Sequence, residues 1–421
     1  VTGDITVADG STIELSSDQQ IMAPGGQLSL QSSRIDATDQ LTIVAHSLDI
    51  DPLSSIDHVR NATIHGDAHI HGRLFSEGDL QLRVGGTLTV SSLGLLAAQR
   101  LNASVKGELA IVGGKVQAVA TGEDVAYPFD CTENASAAVV YPLQLNASRL
   151  TVRSSGAIAA AAMLICTVNT SLDGGEVTAQ ELGDLHDSGK GNGLVESKDN
   201  VQGAGSGGGH GGVGGASGLL GNTSGQPGGA AYDGGECPGY LGSGGGGTQG
   251  GSGGGVIHLH ATKVLSMKGG AKVEADGAAA GASGLTATAR NGPVMDSGGG
   301  GGGSGGSIVL RARTIALPDA FPGQVTVKGG PGSKPSGGGG AGGRIRLQPL
   351  GGDWSGGRAP KQLLDYLLVN GGVGASNTGP SHPSSPGQTG SEGIVSGPPC
   401  HPGHGDALCL PCLPGQYSNG S

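Results

Sequence analysis

The sequence predicts an all-β protein: a parallel β-helix or solenoid-like stack with long glycine-rich loops, plus a small disulfide-rich fragment at the C-terminus. Three observations carry this expectation. First, a polyglycine run flows into an alternating strand three times, as Gly255-Val256-Ile257-His258-Leu259, Gly306-Ser307-Ile308-Val309-Leu310 and Gly343-Arg344-Ile345-Arg346-Leu347. Roughly twenty residues after each comes a second short strand closed by glycine: Val273 to Gly277, Val325 to Gly329 and Leu367 to Gly371. Second, the chain from Thr6 to about Thr121 is a procession of short alternating segments such as Leu41-Thr42-Ile43-Val44, Ala68-His69-Ile70 and Thr87-Leu88-Thr89-Val90. Third, 88 glycines stand against three Phe, six Tyr and one Trp, which leaves no material for a bulky aromatic core.

The short segments follow one another at offsets of about six to seven residues, so three of them make a coil of roughly twenty, close to one rung of a parallel β-helix. Gly66, Gly72, Gly78 and Gly85 recur at nearly that interval, and a tight corner with positive φ would select glycine. An antiparallel sandwich also yields many short strands, but it needs two-residue hairpins of the Asn-Gly type, which are scarce here.

Four regions follow. Residues 1–200 are a β-helix-like N-terminal region, 201–375 are glycine-rich strand-and-loop repeats that continue the stack, 376–399 read as a Ser/Pro/Gly linker, and 400–421 as a partial cysteine-rich module. Between 122 and 200 the pattern is less regular. Tyr127 to Cys131 looks like a surface excursion, Leu150-Thr151-Val152 and Glu176 to Ala179 resume the coil, and Ala159 to Leu164 read as a buried strand of small residues despite good helix propensity. A glycine tract such as 203–255 is ordinarily a flexible linker. This one carries Tyr232, Cys237, Pro238 and Tyr240, and similar tracts recur between strands, so loops packed along one side of the stack are expected.

Seven of the chain's asparagines lie in Asn-x-Ser/Thr: Asn61, Asn102, Asn134, Asn146, Asn169, Asn222 and Asn419. About two would arise by chance if Ser and Thr made up roughly a sixth of the residues, so these N-glycosylation candidates point to an extracellular or cell-surface location. The six cysteines, Cys131, Cys166, Cys237, Cys400, Cys409 and Cys412, are disulfide candidates in an oxidising compartment, with connectivity open. The chain starts at Val1 without Met or an apolar leader, which suggests a processed or excised fragment. With no run of 18 apolar residues, a membrane connection is expected only through an anchor outside this chain. The formal charge of −11 is spread along the chain without a basic patch, which disfavours nucleic acid as a partner.

The tail reads Cys409-Leu410-Pro411-Cys412-Leu413-Pro414-Gly415-Gln416-Tyr417-Ser418. This pattern resembles the start of the ephrin-receptor-like cysteine-rich repeat, a small extracellular disulfide module, with the later cysteines missing. The body, with polyglycine loops such as Gly207 to Gly212, is similar to large glycine-rich surface proteins of plants and protists. That resemblance implies a membrane-anchored ectodomain without a known catalytic site.

Candidate chemistry is sparse. Ile64-His65, His69-Ile70-His71 and His258-Leu259-His260 alternate along strands, which sets two rings on one face about 7 Å apart. Such a pair chelates metal only with a third ligand, and solvent-facing polar positions give the same pattern, so no metal and no cofactor is assigned. Gly250 to Gly254 and Gly302 to Gly306 satisfy G-x-S-x-G, but polyglycine precedes each Ser and a strand follows, the reverse of a nucleophile elbow. No catalytic residue is assigned. The expected role is a non-catalytic structural or adhesive ectodomain, with extracellular protein or glycan partners of unknown identity. The alternatives are a β-helix carbohydrate-active enzyme (polysaccharide lyase or hydrolase), against which the absence of an Asp-Asp pair and the single Trp354 argue, and a disordered glycine-rich wall polymer.

Overall fold

The structure, a computed structural model, describes residues 3–16, 18–120, 141–198, 201–219, 224–233, 238–281, 298–317, 323–349, 366–376, 385–396, 404–405 and 410–411. The regular elements among them are β-strands, and the large sheet pairs in parallel throughout. Among the described residues, antiparallel strand pairs occur only at Ser197–Lys198 with Val201–Gln202 and at His404–Gly405 with Leu410–Pro411. The chain therefore departs from a hairpin-built sandwich. Each segment pairs with the one about twenty residues on, as Leu48 with Ala68, wherever no insertion intervenes.

Three ladders result. The first starts at Ile5–Val7, the second at Thr12–Leu15 and the third at the beginning of Gln19–Leu30, after which the chain returns to the first. Period-two alternation turns one row of each ladder inward. In the second ladder that row runs Ile35, Ile56, Leu74, Leu96, Val116, Ile158, Val177, Val273, Val325 and Leu367, each in register with the next. In the third it includes Met163, Ile257, Ile308 and Ile345, all fully buried and in register. The rows meet in a single aliphatic cluster that runs from Val7 to Leu367. A polar point interrupts it at Thr170, whose hydroxyl is satisfied by that of Thr167 at 2.7 Å. Ala157–Ala159 and Ala162–Asp173 are strands separated by buried Ala160 and Ala161, so the alanine run is extended, as its flanks imply.

The corner from first to second ladder recurrently uses left-handed residues: Gly10, Leu93, Gly113, Gly174, Gly269 and Gly270 there all have φ between 62° and 78°. Gly66, Gly72, Gly78 and Gly85 are not in that region, which corrects the expected reason for them. At Gly72 and Gly85 glycine is needed because a Cβ would meet the carbonyl oxygen of Asp51 or His65 at 2.2 or 2.1 Å. At Gly78 a Cβ would meet nothing within 4 Å.

Among the described residues, the glycine tracts leave the stack at one corner. They follow second-ladder strands ending at Thr178, Glu274, Thr326 and Leu368, and precede third-ladder strands beginning at Val256, Ser307, Arg344 and Ile394. Their hydrogen bonds obey a period of three. Along 298–306, Gly299, Gly302 and Gly305 donate to Pro335, Gly338 and Ala341; Gly301 and Ser304 donate to Gly246 and Ser243; Gly303 and Gly306 donate to Ala278 and Ala275. Three residues per turn without internal hydrogen bonds is the signature of a polyproline-II-type helix, whose N–H groups point in three directions. Each tract thus bonds to three neighbours, and the described tract backbone around it is buried. The close approach leaves no room for a side chain: a Cβ on Gly301 would lie 1.8 Å from the Ser206 oxygen, and one on Gly253 1.7 Å from that of Gly242.

The linker expected over 376–399 is not what its described part forms. Gly387 and Gly390 donate to Ala375 and Gly372, and Ile394–Ser396 pairs in register with Arg344–Arg346. Backbone pairing, not side-chain burial, holds this stretch, so Ser/Pro/Gly composition did not reveal it.

Gly301→Ala should lower unfolding stability by about 1–3 kcal/mol through overpacking, while Gly78→Ala should stay within about 0.5 kcal/mol. Denaturant titration of both variants checks this, and equal effects would contradict the steric account.

Candidate functional site

Two polar constellations stand out, and both lie at the corner between the second and third ladders. The first is an open cleft of about 450 Å³ lined by Thr38, Asp39, Gln40, His58, Arg60, Ser76, Glu77, Gly78 and Asp79. A break in register between Asp36 and Leu41 displaces the chain here, and His58 adopts φ 62°, a conformation costly for a residue with a Cβ. Its Nδ1 lies 3.2 Å from Asp36 Oδ1, and its Nε2 3.5 Å from Glu77 Oε1. Behind it, Asp57 has a side chain only 5% exposed and faces Arg34 Nη2 at 3.2 Å and Arg73 Nε at 3.3 Å. The Arg73 contact brings charges together without an aligned hydrogen bond to Asp57 Oδ1. Arg73 also lies over the Phe75 ring at 4.2 Å.

The second constellation is buried where the glycine array meets the third ladder. His210, Asp233 and Ser307 come together with Tyr232, Tyr240 and Ser243. His210 Nδ1 lies 2.7 Å from the Gly305 carbonyl oxygen, and Nε2 lies 3.3 Å from Asp233 Oδ2. The Ser307 hydroxyl is 3.5 Å from the same Nε2 and donates to the Tyr240 carbonyl at 2.8 Å. The residue types suggest nucleophilic catalysis, but the geometry does not allow it. In a Ser-His-Asp triad the acid and the nucleophile address opposite ring nitrogens, whereas here both approach one, and His210 and Ser307 are fully buried. The group is a clasp: Tyr232 packs on His210 at 4.8 Å between ring centroids, donates to the Leu241 carbonyl and accepts from Ser243 at 2.8 Å. Burial pushes the Tyr232 phenol far above its ordinary range, so it stays a neutral donor.

His258 forms a second fastening. Alternation turns it away from the core, as the sequence implies, yet the insertion covers it and leaves it only 4% exposed. Its Nε2–H donates to the Pro238 carbonyl at 3.1 Å, and its Nδ1 faces the Tyr141 hydroxyl at 2.9 Å. Burial lowers its pKa to about 4, against the opposing pulls of the Pro238 carbonyl and Asp233. The ring is a neutral cross-link between segments far apart in sequence.

The other sequence candidates are dispersed. His69 and His71 stack with ring centroids 6.5 Å apart, the same-face placement expected, and His71 Nδ1 lies 2.5 Å from Ser91 Oγ. Among the described residues no three His, Cys, Asp or Glu side chains are grouped to hold a metal ion. The G-x-S-x-G serines serve the array: Ser252 donates to the Glu181 carbonyl, and Ser304 exchanges hydrogen bonds with Ser243. Asn61, Asn102 and Asn169 are half-buried on strands and Asn146 is exposed. Cys166 carries a half-buried thiol with no disulfide partner among the described residues, its pKa raised by burial. Asn134, Asn222, Asn419, Cys131, Cys237, Cys400, Cys409, Cys412 and Trp354 lie outside the described residues, as does most of the Cys-rich tail. No described helix is long and apolar enough to cross a membrane.

Both constellations escaped sequence reasoning, because their members are separated by tens of residues that only strand register brings together. The one available signal was the aromatic content of the 232–240 stretch. Comparison with family models, curated proteins and solved structures returns no match.

Because His258 is neutral when folded and titrates near its ordinary 6.5 when unfolded, its contribution is complete above pH 6.5 and is lost as pH falls toward 4. The loss should approach roughly 3 kcal/mol, and His258→Gln should flatten that portion of the stability profile in pH-dependent denaturant unfolding.

Proposed function

We propose that the chain is a non-catalytic structural or adhesive ectodomain of a secreted or cell-surface glycoprotein, built as an elongated β-helix with a glycine-rich flank. The observation that supports this reading most is the continuous in-register aliphatic row from Ile35 to Leu367, which spends the chain's large side chains on stacking. Such a scaffold acts by spacing and display. The glycine array adds a broad side-chain-poor surface held by backbone bonds. The ephrin-receptor-like pattern at Cys409 to Ser418 would continue the chain toward a membrane anchor outside it, and the sequons belong to the same extracellular setting.

A second reading draws on the His58 cleft. A carbohydrate-active enzyme needs acids and a base on one exposed face, and Asp36, His58 and Glu77 are adjacent there.

Small-angle scattering should give a radius of gyration well above the about 22 Å of a compact globule of this length. Incubation with a panel of acidic and neutral polysaccharides should release no sugar or unsaturated product. A compact particle would contradict the β-helix, and turnover abolished by His58→Ala would replace the display role with the enzymatic one.

A further inference from the structure

The positions of the sequons within the ladders hold information that their number does not. Asn61, Asn102 and Asn146 all lie in the third ladder. Asn61 and Asn102 are each in register with Gln81, and Asn146 pairs with Ser104 in the next row. Asn169 pairs with Arg149 where the chain enters the first ladder. Alternation puts the Asn and the hydroxyl residue of each third-ladder sequon on one face and the residue between them on the other. Ala62 and Ala103 are accordingly buried at 1% exposure. The outward rows of the second ladder, which hold Arg34, Arg73, Lys115 and Lys272, contain no sequon among the described residues.

Resting on the extracellular reading above, we propose that N-glycans coat one side of the stack, at Asn61, Asn102, Asn146 and Asn169, and leave the second ladder bare. The donor class is a lipid-pyrophosphate-linked oligosaccharide. The Asn carboxamide nitrogen forms a bond to the anomeric carbon and loses a proton, while the bond from that carbon to the pyrophosphate oxygen breaks and the lipid pyrophosphate leaves with the electron pair.

Register also fixes the order of events. In the folded chain Ser148, the hydroxyl residue of the Asn146 sequon, donates to the Lys106 carbonyl at 2.5 Å, and the strand backbone on both sides is paired. An acceptor segment must be free to enter a transferase, so attachment precedes closure of the ladder. Strands are about 4.8 Å apart, so Asn61 and Asn102, two spacings apart, stand about 10 Å from each other. Glycans at these positions project side by side, perpendicular to the sheet, and sweep over the third-ladder face.

The test is secretion of the full chain from a eukaryotic cell line behind an added leader. Site occupancy is read as Asn-to-Asp conversion during enzymatic deglycosylation in ¹⁸O-water. Acylation rates of Lys106, Lys115 and Lys272 are then compared before and after glycan removal. The expected result is occupancy at Asn61, Asn102, Asn146 and Asn169, with several-fold faster acylation of Lys106 after glycan removal and unchanged rates at Lys115 and Lys272. If those four are empty while Asn134, Asn222 or Asn419 is occupied, the one-sided coat is overturned and the extracellular reading survives. If no sequon is occupied, both fall. Equal acceleration at all three lysines overturns the bare second ladder.

Discussion

In-register parallel pairing between each chain segment and the next turn is the constraint on which everything else rests. It sets one aliphatic row per ladder facing inward, so that residues as distant as Ile35 and Leu367 belong to one row. A slip of one residue would invert every row it touched. Against that penalty, left-handed turns at Gly113, Gly174 and Gly269 keep one corner in step, and insertions are admitted at another, where they do not shift the strands on either side.

The glycine array solves a different problem. Glycine loses more entropy on ordering than any other residue and buries no side chain, so burial of apolar side chains cannot hold these tracts. What holds them is saturation of backbone groups: with three residues per turn, every N–H of 299 to 306 outside Gly300 has a named partner in an adjacent segment. Gly300 completes the set by donating to the Ser333 hydroxyl. Omission of Cβ allows carbonyl oxygens to approach within van der Waals contact of the Cα, so packing density takes the place of hydrophobic area. The clasp at His210 and the cross-link at His258 fasten this array to the third ladder.

Much of the fold was legible because strand alternation is local. Aligning the three Gly-run-to-strand units brings Ile257, Ile308 and Ile345 to equivalent positions, and in the structure they pair in register and are buried. The packing of the glycine tracts was legible as a preference, from Tyr232 and Tyr240, whereas their threefold bonding was not, since polyglycine has no side-chain pattern to read. Gly72 shows the same limit: a tight contact with a carbonyl and a positive-φ turn select the same residue. The His58 cleft and the His210 clasp depend on register across neighbouring turns and on insertions of different length, which no local motif encodes.

Backbone amide hydrogen exchange along 298–306, compared with the adjoining strand 307–312, addresses the central claim most directly. If the tracts are saturated by bonds to neighbouring segments in three directions, their amides exchange with protection approaching that of the strand. Exchange of the whole glycine segment at unprotected rates, with the strand still protected, would contradict it.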